Sequence, residues 1–173
     1  MHTFMRSIAL IAALTMIGLS STGALAESVK DTGGMDATFT KRDALPIPNQ
    51  EGHELVLAKA SGTATSPGGP LDGFSVTELE IADLRQGNGP HQGYVIFSKG
   101  SDQQIVKFEG LVTTTMKDGK PNTTLKGTYE IVTATGALTG TKGAGTYSGH
   151  FTAEDKFQVN WDGMASKDSP GTN

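Results

Sequence analysis

Cysteine is absent from the 173-residue chain. No disulfide framework can exist, so stability has to come from packing and strand pairing. No basic cluster stands out, which argues against nucleic acid and anionic membrane surfaces as partners. Long apolar runs are missing as well. The longest, Ile8 to Leu19, is too short for a membrane span. No serine sits in G-x-S-x-G, and without cysteine there is no thiol nucleophile. Gly143-Ala-Gly145 is not a G-x-G-x-x-G turn opening a helix, and no βαβ unit surrounds it, so no nucleotide motif is present. There is no long internal repeat and no second domain.

The apolar run instead belongs to a leader. Arg6 supplies a positive start, residues 8–19 an apolar core, and Ala24-Leu25-Ala26 a small-residue cleavage signal. The expectation is a signal peptide over 1–26, a mature N-terminus at Glu27, and a protein that is periplasmic or extracellular. Removing residues 1–26 from the 173-residue chain leaves 147, a comfortable size for an eight-stranded barrel. Arg6 is the only charged side chain before the cut. The mature chain therefore keeps one fewer than the 14 basic residues against all 18 acidic ones, a net charge of −5. Twenty-three glycines and many threonines, with few good helical stretches, favour an all-β class.

The chain is organised around Gly127 to Gly163. Leu125, Tyr129 and Ile131 alternate with Lys126, Thr128 and Glu130, the period-two pattern of a half-buried strand. Gly136, Gly140, Gly143 and Gly145 then allow tight turning and kinking. Tyr147, Gly149 and Phe151 alternate with Ser148, His150 and Thr152. After the polar turn 153–156, Phe157, Val159 and Trp161 alternate in the same way. Three strands with short links make an antiparallel meander. The glycines within it suggest bulges or sharp coiling.

Tyr129, Gly136, Leu138, Gly140 and Gly143 form Y-x6-G-x-Φ-x-G-x2-G. This pattern resembles the strand, glycine turn and strand of the allene oxide cyclase and dirigent barrels and their bacterial relatives. It covers about 35 residues closely; the rest matches in strand rhythm and size. The resemblance implies a single eight-stranded antiparallel β-barrel, allene oxide cyclase/dirigent-like and calycin-like. No residue matches the cyclase's catalytic set, so none is carried over.

In chain order, 27–35 is expected to be a flexible N-terminal arm, 36–163 the barrel and 164–173 a polar, frayed tail. Ala37–Arg42 is a first strand anchored by Phe39. His53–Thr65 is a long strand, with Leu55, Leu57 and Lys59 on one face and Val56, Ala58 and Ala60 on the other. Ser66–Pro70 is a loop. Gly73–Gln86 reads as a strand with a bulge, since Leu79 and Ile81 fall out of step with Ala82 and Leu84. Tyr94–Phe97 is a continuous apolar run suited to burial on both faces. Gln104–Met116 is a further strand, and Lys117–Asn122 a hairpin loop containing Asp-Gly. Asn122-Thr-Thr124 is a glycosylation sequon in a eukaryotic host.

Phe108, Tyr129, Tyr147, Phe151 and Trp161 fall in the apolar registers of neighbouring strands and are the expected ligand-binding residues. In an eight-stranded barrel such a set fills the interior or lines one small cavity. The tyrosine hydroxyls and the Trp161 N–H would orient a ligand. His53, His91 and His150 have no metal-ligand spacing and read as unrelated surface or strand-end residues. Glu109 could be a lone interior acid, and Glu78, Glu80 and Asp83 a carboxylate set, but charged residues on barrel strands usually form the solvated face, and that is the reading for each. No catalytic residue, metal or cofactor is expected. The reading is an exported barrel binding a small apolar or aromatic molecule, with the homo-oligomeric state left open. The resemblance implies an alternative: an isomerase or cyclase that steers a reactive intermediate by pre-organisation, with Tyr129, Tyr147 and Glu109 as candidates. A third reading is a cell-envelope interaction or inhibitor protein using loops 66–70 and 117–122.

Overall fold

A computed structural model describes residues 28–167. The expected leader and the last six residues of the expected tail lie outside them. Eight strands follow one another: β1 (Ser28–Pro46), β2 (His53–Thr65), β3 (Ser75–Arg85), β4 (Gly89–Lys99), β5 (Asp102–Lys117), β6 (Lys120–Thr135), β7 (Thr141–Phe151) and β8 (Lys156–Lys167). Each pairs antiparallel with the next, and β8 pairs with β1, so the sheet is a closed barrel without edges. No helix among the described residues is long and apolar enough to cross a membrane.

Turn chemistry explains much of this. At the β5–β6 hairpin the strands run to Lys117 and from Lys120, leaving two loop residues. Asp118 (φ 51°) and Gly119 (φ 74°) are both left-handed, as a type I′ turn requires. Gly136 (φ 62°) opens the β6–β7 link, where a short 3-10 turn buries Leu138.

Three expectations need correction. Residues 28–35 do not form an arm. From Ser28 onward β1 pairs with β8, and from Gly34 it pairs with β2 as well. The polarity of this stretch misled because one strand closes the ring and needs few side chains to face inward, here Asp31 and Met35 with Gly33 beneath Trp161. At the other end β8 runs to Lys167, beyond the expected start of the tail. Third, β3 carries no bulge; its register to β2 and β4 is continuous. Val76, Glu78, Glu80, Ala82 and Leu84 face inward, while Leu79 and Ile81 face outward, 44% and 48% exposed. Both parities of β3 carry apolar residues, so apolarity alone could not choose between them. The bulges lie elsewhere, at the register shifts Phe39/Lys41 and Ile105/Val106. β4 likewise is buried on one face only: Val95 and Phe97 point in, and Tyr94 is exposed.

The two ends of the barrel differ. Loop 66–74 folds under one end and closes it with Leu71 and Phe74, both buried. It is tied by Ser66 Oγ donating to the Thr32 carbonyl (2.8 Å) and Ser66 N–H donating to Asp72 Oδ1 (2.9 Å). Leu71 and Phe74 make this end a plug, while Pro67, Gly68, Pro70, Asp72 and Gly73 keep an exposed face. The opposite end, rimmed by the β1–β2, β3–β4, β5–β6 and β7–β8 links, stays open.

Gly33 tests the corrected role of the N-terminal stretch. A methyl group there would enter the indole of Trp161, with Cη2 and Cε2 at 2.6 and 2.7 Å and no backbone among its nearest contacts. Gly33→Ala should destabilise the protein by about 1–3 kcal/mol, read from urea unfolding. On a Trp161→Phe background the loss should shrink, since the colliding atoms are gone. A Gly33→Ala protein as stable as the parent would return residues 28–35 to solvent.

Candidate functional site

The interior is built on two rows that run across neighbouring strands. In the first, His91, Gly110, Gly127, Tyr147, Trp161 and Gly33 are successive partners. Tyr147 leans over Gly127 and Gly110, whose added Cβ atoms would both strike its hydroxyl. The hydroxyl thereby meets His91 Nε2 at 2.7 Å, and His91 Nδ1 meets Glu80 Oε1 at 2.7 Å. In the second row, Tyr129, Gly145, Gly163 and Asp31 are partners. Tyr129 leans over Gly145 and Gly163 and donates to Asp31 Oδ2 at 3.1 Å. Trp161 Nε1–H donates to the other oxygen of the same carboxylate, also at 3.1 Å. Gly33, Gly110, Gly127, Gly145 and Gly163 are thus neither bulges nor turns. They are floor space beneath long aromatic side chains.

These rows enclose a lower chamber of about 60 Å³, walled by Phe97, Val106, Phe108, Tyr129, Tyr147 and Trp161 among others. Its volume suits a few waters and no larger molecule. Above it an open cup of about 760 Å³ reaches the rim, within the size range of small-molecule sites. Phe39, Phe151 and Phe157 form one wall, their ring centroids 5.1–5.9 Å apart. Glu78 and Leu125 line both spaces, so they are the partition between chamber and cup.

The expected ligand-binding residues therefore divide. Phe108, Tyr129, Tyr147 and Trp161 meet in the lower chamber, while Phe151 stands apart in the cup. The polar tips expected to orient a ligand are already committed, to Asp31 and His91. Of the histidines, His53 binds Asp83 Oδ1 outside the barrel (2.5 Å), His150 is exposed, and His91 is buried inside. Glu109 and Asp83 are on the outer face, whereas Glu78 and Glu80 are buried. Asp31, Glu78, Glu80 and His91 are the functional candidates that sequence reasoning missed. Strict alternation along β3 would have found two of them, since Glu78 and Glu80 share parity with Val76, Ala82 and Leu84. Nothing local marks Asp31 or His91.

The electrostatics follow from burial. Desolvation pushes the Glu78 carboxyl up to about 8, with the neighbouring Glu80 charge adding to it. Burial also holds the Tyr129 and Tyr147 hydroxyls above the usual phenol range. Asp31 adds to this at Tyr129, and Glu78, Glu80 and Glu109 add to it at Tyr147. Both tyrosines stay protonated donors. With the imidazole proton assigned to Nδ1, the hydrogen bonds run Tyr147 O–H to His91 Nε2, then His91 Nδ1–H to Glu80. That chain fixes the orientation of each member.

The same fold occurs in a solved structure from Shewanella oneidensis MR-1, a DUF3224-family protein of unknown function. It is 16% identical, with a TM-score of 0.52, and the match covers 84% of this chain and 100% of that one. Two pterocarpan synthase dirigent proteins, GePTS1 and PsPTS1, match with TM-scores of 0.46 at 13% and 14% identity. They cover 85% and 83% of this chain, and 88% and 97% of their own. No family model and no curated protein matches the sequence. At such identities the likeness concerns the fold.

Proposed function

We propose that this protein is a binding barrel, exported by its leader, that takes a small molecule with an apolar or aromatic body into the open cup. The observation behind this reading is the asymmetry of the interior. One end is plugged by Leu71 and Phe74, and the other holds a cup of about 760 Å³ with a wall of three phenylalanines. A protein acting only through its outer loops has no use for such a cup. Binding of N-phenyl-1-naphthylamine, a neutral fluorescent probe, tests it. Saturable one-site binding is expected. Phe151→Ala, at a half-buried ring on the rim, should weaken it roughly tenfold, the worth of one aromatic contact. Fluorescence that never saturates, or that ignores Phe151→Ala, would remove the cup as the site.

A second reading is steering of a reactive intermediate, and Glu78 favours it. A carboxyl still protonated near neutral pH at the base of the cup is a positioned proton donor. Chiral analysis of product from candidate substrates decides this. Racemic product at the uncatalysed rate leaves binding alone.

A further inference from the structure

We propose, building on the binding reading, that the occupant of the cup is a cation: an amine with an aromatic or aliphatic body, its ammonium head resting on Glu78 and Glu80. Three observations converge. Glu78 is 6% exposed and lines the cup, yet no described residue gives it a hydrogen bond or an ion pair. Its neighbour Glu80, two residues along the same inward face of β3, is held through one oxygen by His91. The Glu78 carboxyl therefore opens onto the cup rather than onto a protein donor and keeps its proton there; an ammonium supplies the charge and the donors that let it ionise.

The balance of charge around the cup points the same way. Two basic side chains, Arg42 and Lys120, face four acidic ones, Glu54, Glu78, Glu80 and Glu154. Arg42 is already bound to Glu54 at 2.6 Å on the rim, which leaves the floor carboxyls without a fixed counter-charge. An anionic ligand would oppose ionisation of the floor carboxyls, whereas an ammonium favours release of the Glu78 proton. A hydrocarbon would fill the walls and leave Glu78 without a partner, and a neutral hydroxyl would give it only an uncharged hydrogen bond. The rings of Phe39, Phe151 and Phe157 are also suited to a cation entering past them, because aromatic faces attract positive charge.

A matched series separates the claims: 4-phenylbutylamine, 4-phenylbutan-1-ol and 4-phenylbutanoate, titrated calorimetrically into the mature protein. The amine should bind at least about tenfold tighter than the alcohol, and the carboxylate most weakly, as a charged hydrogen bond implies. Glu78→Gln should remove most of the amine's advantage and leave the alcohol within about twofold. Glu80→Gln is the second variant, and a thermal melt of each confirms that it folds. Should neither fold, the ranking of the three ligands on the parent still decides. An alcohol that binds as tightly as the amine overturns the cationic assignment but leaves the cup standing. If none of the three binds, the cup reading itself fails, and the inference with it.

Discussion

Trp161→Ala should cost about 3–5 kcal/mol of stability, the range for emptying a large aromatic site in a core that cannot collapse. The indole is 8% exposed and packs edge-on against Phe97 at 5.7 Å. It covers Gly33, and its Nε1–H bonds Asp31. A closed ring of strands cannot move inward to fill the hole, because each backbone is held by two neighbours. Removing the indole also leaves the buried Asp31 with Tyr129 as its one remaining side-chain donor. Trp161→Phe separates these contributions. It retains an aromatic ring but loses the donor and the indole atoms over Gly33, so roughly 1–3 kcal/mol is expected. Urea unfolding with a common slope gives both values. A loss under about 1 kcal/mol for the alanine variant, with parent emission like that of free tryptophan, would mean that β8 is paired one residue out of register.

The second large effect is a pH dependence centred on Glu78. Its carboxyl titrates at about 8 in the folded protein, against 4.5 for an ordinary glutamate, and the shift comes first from burial and then from Glu80. Between those two values the folded state holds a proton that the unfolded chain has released. The contribution is therefore full below pH 4.5, falls as pH rises, and levels off above about 8. The slope approaches ~1.4 kcal/mol per pH unit for one proton. Glu78→Gln keeps the shape and cannot ionise. The groups facing Glu78 are Glu80 on β3, His91 on β4 and Tyr147 on β7, and all three are common to both proteins. The variant should thus gain on the parent steadily from pH 5 to pH 8 and no further beyond it. A stability difference that stays constant over that range would show Glu78 ionised throughout.

Much of the barrel was legible along the chain. Alternation located the β2 strand residue by residue, because Val56, Ala58 and Ala60 can share a face only in an extended chain. Asp118-Gly119 announced its hairpin, since few other pairs tolerate two left-handed residues in succession. Tyr129, Tyr147 and Trp161 share the apolar registers of their strands, and all three are buried in the interior. The leader at 1–26 rests on sequence throughout, for it lies outside the described residues.

Parity names two faces, however, and does not say which is inside. In β3 both parities carry apolar residues; Leu79 and Ile81 went outward, and Glu78 and Glu80 went in. The decision belonged to the register with β2, whose small inward residues left room for long side chains. Closure also made a strand of the polar stretch from Ser28, because a ring needs a partner for β8 whatever its composition. The pairing of Tyr147 with His91, 56 positions apart, and of Trp161 with Asp31, 130 apart, is a matter of which rows the closed sheet aligns. Local sequence determined where the strands are and how they turn. Where the buried charge sits, and so what the cup is suited to hold, was decided only when eight locally specified strands were forced into one register by closing on themselves.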